Sequence, residues 1–214
     1  MPDRSLNAEL AQLAQQGLQR LEATHRARED ALARCRETIR ASGLAIRAVH
    51  RLESTAVWER LAEAERALRR AQDALGQFPA LAATGFLHDA EKEYAEARLT
   101  VALVGGDPLP SFEDMRVGLP AWLNGLAEAA SELRRHLLDC LRAGETARGE
   151  ELLLAMEDVY DLLVSVEYPD AITGGLRRAT DSLRAVVERS RSDVTSTVLQ
   201  TALQHTIERS LRGS

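Results

Sequence analysis

The sequence predicts an all-α protein, and three observations carry that reading. Ala, Leu, Arg and Glu dominate its 214 residues, a composition of helix formers, while aromatic residues are only 4%. Apolar residues recur at mixed three- and four-residue spacing through most of the chain, the period of a helix face. Gly and Pro gather at a few points, where they read as helix stops. The result expected is a single-domain bundle of about six to seven helices over residues 1–214, with an aliphatic core made from helix–helix contacts.

The first helix is expected from about Ser5 to Leu52, long enough to be a spine that also meets a neighbouring subunit. Its apolar positions include Leu10, Leu13, Leu18, Leu21, Leu32, Ile39, Ile46 and Val49. The second opens after Ser54 as N-cap and closes near Gln77, with Gly76 and Pro79 as stop signals. Trp58, Leu61, Ala64, Leu68 and Leu75 form its inner stripe. The third opens at Thr84 or Gly85 and turns Phe86, Ala90, Tyr94, Ala97 and Val101 to one side. Gly105 to Leu119 is a loop in which Ser111 and Asp114 can cap one short turn. Pro120 suits the first position of the fourth helix, whose core side is Leu123, Leu126, Ala130, Leu133 and Leu137, and which ends near Gly144. The fifth runs from about Thr146 to Val166, where Tyr168-Pro169-Asp170 breaks it. The sixth covers about Thr173 to Arg191, and Ser192 or Asp193 caps a last helix from Val194 to Arg212.

Chemistry concentrates on the third and fourth helices. At about 100° per residue, Asp89, Glu93 and Glu96 form an acidic stripe beside the apolar face of the third. Glu128 and Glu132, four residues apart on the fourth, point away from its core side. Like charges at that spacing cost a helix roughly 0.2–0.5 kcal/mol per pair. A cation shared between the two helices reverses that sign. Four facing carboxylates make a hard, oxygen-only site suited to Mg²⁺ or Mn²⁺. The alternative is two solvated acidic faces. His136 is the histidine to watch as a proton-transfer group beside Glu132.

Net charge is −6, so nothing global advertises nucleic-acid binding. Such a role needs a local basic surface, because phosphate contacts supply the affinity. Arg36, Arg40, Arg47 and Arg51 fall within about 60° of one another, with His50 beside them. Lys92 is the single lysine of the chain. Cys35 and Cys140 stand alone in helical contexts and read as buried thiols of a reducing cytoplasm. MPDRSLNAEL lacks the apolar region of a signal peptide, and no apolar run reaches the length of a spanning helix. A soluble, cytoplasmic protein is expected, without membrane contact. One ExxH, at Glu22 and His25, falls short of the two that a di-iron bundle uses. GxSxG, HExxH and P-loop motifs are absent, which leaves serine hydrolase, zincin and NTPase readings unsupported.

Several segments resemble the translin/TRAX (translin-associated factor X) family. They are Arg40-Ala41-Ser42-Gly43 through Ile46-Arg47-Ala48-Val49-His50-Arg51, Glu93-Tyr94-Ala95-Glu96-Ala97, Leu123-Asn124-Gly125-Leu126-Ala127-Glu128 with Ser131-Glu132-Leu133-Arg134-Arg135, Tyr160-Asp161-Leu162-Leu163, and Tyr168-Pro169-Asp170-Ala171 through Gly175-Leu176-Arg177-Arg178. The matches keep their order over about three quarters of the chain. The resemblance implies a helical subunit of a hollow homo-oligomer, usually an octamer, that handles single-stranded RNA or DNA. In the TRAX branch it implies a Mg²⁺-dependent endoribonuclease whose catalytic and metal-holding positions fall on Glu93, Glu96, Glu128 and Glu132. The TRAX position matching Glu128 is Asp, one methylene shorter. Arg36, Arg40, Arg47, His50 and Arg51 then become the candidate track for the RNA backbone. The rival implied by the translin branch is the same shell binding single-stranded nucleic acid without cutting it.

Overall fold

A computed structural model describes residues 6–212, and every regular element among them is a helix. Six helices are long: α1 (Leu6–His50), α2 (Ser54–Leu75), α4 (Phe86–Gly105), α6 (Leu119–Ala143), α7 (Thr146–Val164) and α9 (Leu176–Arg212). Three four-residue helices, α3 (Pro79–Ala82), α5 (Phe112–Met115) and α8 (Asp170–Thr173), lie in the connections. Ser5, where the first helix is expected to begin, lies outside the described residues. No helix among the described residues is long and apolar enough to cross a membrane.

The core forms where α6 meets α4 on one side and α7 and α9 on the other, while α1 and α2 pair and cover α4. Leu126, Leu133 and Leu137 of α6 are fully buried, as their spacing requires. Each such leucine contributes roughly 1.5–3 kcal/mol. Ser111 caps α5 with a full capping box, its hydroxyl accepting from the Asp114 N–H while the Asp114 carboxylate accepts from Ser111 N–H. Gly144 closes α6 in the left-handed conformation. Both cysteines are free and buried, and burial pushes the Cys35 thiol up to about 11.

Four expectations need correction. First, α1 stops at His50, because Leu52 turns left-handed at φ 58° and the Glu53 N–H closes onto the Ala48 carbonyl. Second, the early leucines of α1 do not enter the core: Leu10, Leu13, Leu18 and Leu21 are exposed, and the first buried residue is Ala31. The 45 residues of α1 span about 68 Å. Its first half therefore reaches past the bundle. Third, Trp58 faces outward at 56% exposure, and Val57 takes the inward position instead. Fourth, the two expected C-terminal helices are one, α9. Asp193 does not cap a new helix; its carboxylate receives the Arg134 guanidinium of α6 at 2.7 Å, with the Ser190 hydroxyl accepting beside it at 3.1 Å.

The spacing of α4 and α6 is set by Gly125. A Cβ there would stand 2.8 Å from Ala95 Cβ and 2.9 Å from both the Glu96 amide nitrogen and the Lys92 carbonyl oxygen. The backbones meet because that position has no side chain. The loop before α6 is strapped down at the same end. Arg69 of α2 donates to the Met115 and Arg116 carbonyls, Gln72 donates to Arg116 O and Glu91, and Glu91 accepts the Gly118 N–H.

Gly125→Ala is expected to cost about 1–3 kcal/mol by overpacking this contact. Gly17→Ala, in an exposed turn of α1 with open space around it, is expected to be neutral or to stabilise by up to about 1 kcal/mol. Denaturant titration of the two variants checks the contrast.

Candidate metal centre between the two acidic helices

The close approach at Gly125 faces Glu93 and Glu96 of α4 with Glu128, three residues further along α6. Glu93, Glu96 and Glu128 each offer one carboxylate oxygen, and the three lie within 4.8 Å of one another. Glu93 and Glu128 are half-buried; Glu96 is buried at 8% exposure. Glu132, a turn beyond Glu128, is near enough for its charge to act on Glu96. Its own carboxylate is engaged elsewhere: Glu132 Oε2 is hydrogen-bonded to Nε2 of His50 at 2.7 Å. Asp89, placed in the same stripe by sequence, is exposed on the first turn of α4 and stands outside the group.

Electrostatics mark Glu96 as the centre of the cluster. Burial pushes its pKa up to about 8, and the charges of Glu128, Glu93 and Glu132 add to the shift, against the opposing pull of Lys92. The nearest positive charge is Lys92, whose ammonium donates to both oxygens of Glu128 at 2.7 Å and lies 3.3 Å from Glu93 Oε1. Burial works to lower the Lys92 pKa, but the hydrogen bond and charge of Glu128, with help from Glu93, outweigh it and raise the value.

The donors are all carboxylate oxygens, the set a hard divalent cation prefers, and mutual repulsion around a buried carboxyl is what such a cation relieves. The residues therefore fit Mg²⁺ or Mn²⁺. Glu93, Glu96 and Glu128 are the group that can hold it, and Glu132 is the neighbour steered by His50.

The basic candidates divide. Arg36, Arg40 and Arg47 are exposed along one side of α1, and Arg51 is exposed in the turn that follows it. Arg51 is gripped by Glu53 through two hydrogen bonds, at 2.8 and 2.9 Å. His50, grouped with them in sequence, turns inward: its side chain is 5% exposed and belongs to the acidic cluster through Glu132. His136 is half-buried, with its pKa lowered by burial and by Arg148, and the partner of Glu132 is His50 instead. Sequence reasoning misses both the placement of Lys92 and the His50–Glu132 bond. Lys92 carries one signal, its being the single lysine; the bond spans 82 residues and carries none in spacing. A hollow of about 710 Å³ between α7 and α9, lined by Tyr160, Tyr168 and Arg177 among others, shares no residue with the carboxylates.

No family model matches the chain. The solved structure of AfC3PO, a C3PO protein of the translin family, is similar to it with 30% identity and a TM-score of 0.79, covering 87% of this chain and 97% of AfC3PO. The chain belongs to the translin/TRAX family. AfC3PO in a complex with duplex RNA is similar at 31% identity and a TM-score of 0.69, with the same coverage. Apo-NeC3PO, at 18% identity and a TM-score of 0.75 over 92% of this chain and 98% of its own, shares the fold. An uncharacterized protein of Methanocaldococcus jannaschii is 26% identical over 184 residues, 85% of this chain and 81% of that protein. The resemblance of the Glu93-to-Glu96 and Leu123-to-Glu132 segments to this translin/TRAX family thus coincides with the two helices that the fold presses together.

The raised Glu96 pKa has a sign that can be read out. The folded chain holds this proton to about pH 8, whereas the unperturbed group releases it near 4.5. The fold binds the extra proton across that interval, so its contribution is whole below 4.5 and drains away as pH rises towards 8. In buffer with EDTA, Glu96→Gln is expected to flatten the fall of Tm between about pH 5 and 9. The variant should melt above wild type at the alkaline end, and differential scanning calorimetry across pH checks it.

Proposed function

We propose that the protein is a Mg²⁺-dependent endoribonuclease of the translin/TRAX type, cutting RNA inside a homo-oligomeric shell. The observation that supports it is the meeting of three carboxylate oxygens from two separate helices around buried Glu96. Glu93, Glu96 and Glu128 would hold Mg²⁺, or Mn²⁺ in its place. Bound there, the ion would supply Lewis-acid chemistry, lowering the pKa of a water and offsetting charge on the scissile phosphate. Glu132, hydrogen-bonded to His50 at the edge of the group, would accept the attacking water's proton. Arg36, Arg40, Arg47 and Arg51 would carry the RNA backbone as a salt-sensitive, sequence-blind track. The exposed leucines of α1 and those of α9, Leu199, Leu203 and Leu211, suit burial between copies of the chain in an octamer.

Sequence reasoning favours single strands, because a flexible strand bends a phosphodiester onto half-buried carboxylates more readily than a stiff duplex does. AfC3PO forms a complex with duplex RNA, so both forms belong in the test. The second reading is a shell that binds single-stranded RNA or DNA without cutting. One observation favours it: Lys92 already neutralises part of the cluster.

Labelled single-stranded and duplex RNA incubated with the protein and Mg²⁺ separate these readings. Cleavage of the single strand, reduced on the order of a hundredfold or more in Glu93→Gln and Glu132→Gln, is the expected outcome. Retention without cleavage in both Mg²⁺ and Mn²⁺ would establish the binding reading in its place. No retention of either RNA at low salt would overturn both.

A further inference from the structure

We infer that Lys92 is a tethered cation that competes with the divalent ion for Glu93 and Glu128 and so sets how tightly the centre loads. The inference rests on the metal reading above and assigns its regulation to a residue of the chain itself.

Lys92 differs from the other basic residues in what it touches. Most ion pairs among the described residues are local, joining neighbours three or four apart on an exposed helix face, such as Arg60 with Glu63 or Arg148 with Glu151. Such pairs contribute little. Lys92 instead crosses from α4 to α6, with its side chain 21% exposed, and covers both oxygens of one proposed metal ligand while contacting a second. Its position follows from the same close approach that makes the centre, since the Lys92 carbonyl is one of the atoms Gly125 packs against.

The chemistry of the side chain suits an exchangeable occupant. An ammonium is a compact point charge on a flexible four-carbon stem, whereas a guanidinium is a planar fork of fixed geometry. The chain uses Arg at every other strongly basic side chain and Lys only here. With Lys92 in place, the Glu93–Glu128 pair keeps one net negative charge, from two carboxylates and one ammonium. Without it the pair carries two, the match for one divalent ion. An incoming ion must share or displace a charge already seated on Glu128. By Coulomb's law the ammonium therefore weakens divalent binding at this distance. Withdrawal of Lys92, by its stem swinging outward, opens both Glu128 oxygens.

Titration calorimetry of the full-length protein with Mn²⁺ alone tests this in wild type, Lys92→Gln, Lys92→Met and Lys92→Arg. The neutral variants are expected to bind Mn²⁺ about tenfold tighter or more, and to gain more Tm on Mn²⁺ addition than wild type does. Lys92→Arg, which keeps the charge, should stay within about threefold of wild type. Wild-type protein that binds Mn²⁺ while the neutral variants bind it no tighter would overturn the role given to Lys92 and leave the metal reading standing. Failure of both neutral variants to fold would overturn it equally, since Lys92 is then a structural strut. Absence of Mn²⁺ binding in wild type and variants alike would sink the metal reading, and the inference with it.

Discussion

The contact at Gly125 governs the rest of the molecule. Two helices bearing like charges repel, and left to side chains of ordinary size they would settle about 8–10 Å apart. Here α6 rests on the backbone of α4 between Lys92 and Glu96. That proximity is paid for by the apolar side of α6, where Leu126, Leu133 and Leu137 are sealed. Hydrophobic burial on one side of the helix thus compresses carboxylates on the other. The raised pKa of Glu96 records first its burial in that contact and then the charges of Glu128, Glu93 and Glu132 gathered around it. The straps from Arg69, Gln72 and Glu91 to the loop before α6 hold the arrangement at its open end.

Much of this is legible in the amino-acid order. Gly76, Gly144 and Pro169 mark helix boundaries, Ser111 and Asp114 make the expected capping box, and the apolar stripe of α6 is buried residue for residue. Spacing also puts Glu93 with Glu96 and Glu128 with Glu132 on their helices. What spacing cannot supply is the neighbour each face meets. Glu96 lies on the edge of its helical stripe, yet is buried because α1, α2 and α6 all pack against α4. His50 lies near Arg36, Arg40, Arg47 and Arg51 in the sequence, but at the end of α1 it points at α6. Ser192 and Asp193 carry cap chemistry, but a cap forms only where the chain turns, and Arg134 gives Asp193 a better partner within a continuous helix.

The exposed stretches depart from expectation for the converse reason. Leu10 and Leu13 have the spacing of core residues, and the bundle does not extend to them, while Trp58 stands on the outer side of a helix whose inner side is buried. Apolar periodicity reports that a face is to be covered and is silent on whether the cover belongs to the same chain. For a member of the translin/TRAX family, such faces accord with a subunit that is completed by its neighbours.

The solitary lysine also bears on how the polypeptide can be handled at the bench. Amine-reactive dyes, biotin esters and sensor-surface coupling find one side-chain target in the chain. That target is shielded, because ion pairing keeps its nitrogen protonated to higher pH than an ordinary lysine and leaves little of it exposed. Near neutrality such reagents are directed to the terminal amine, and the carboxylate centre is left chemically intact. Conjugation driven at strongly alkaline pH, by contrast, would reach the one nitrogen whose acylation strips the counter-charge from Glu128.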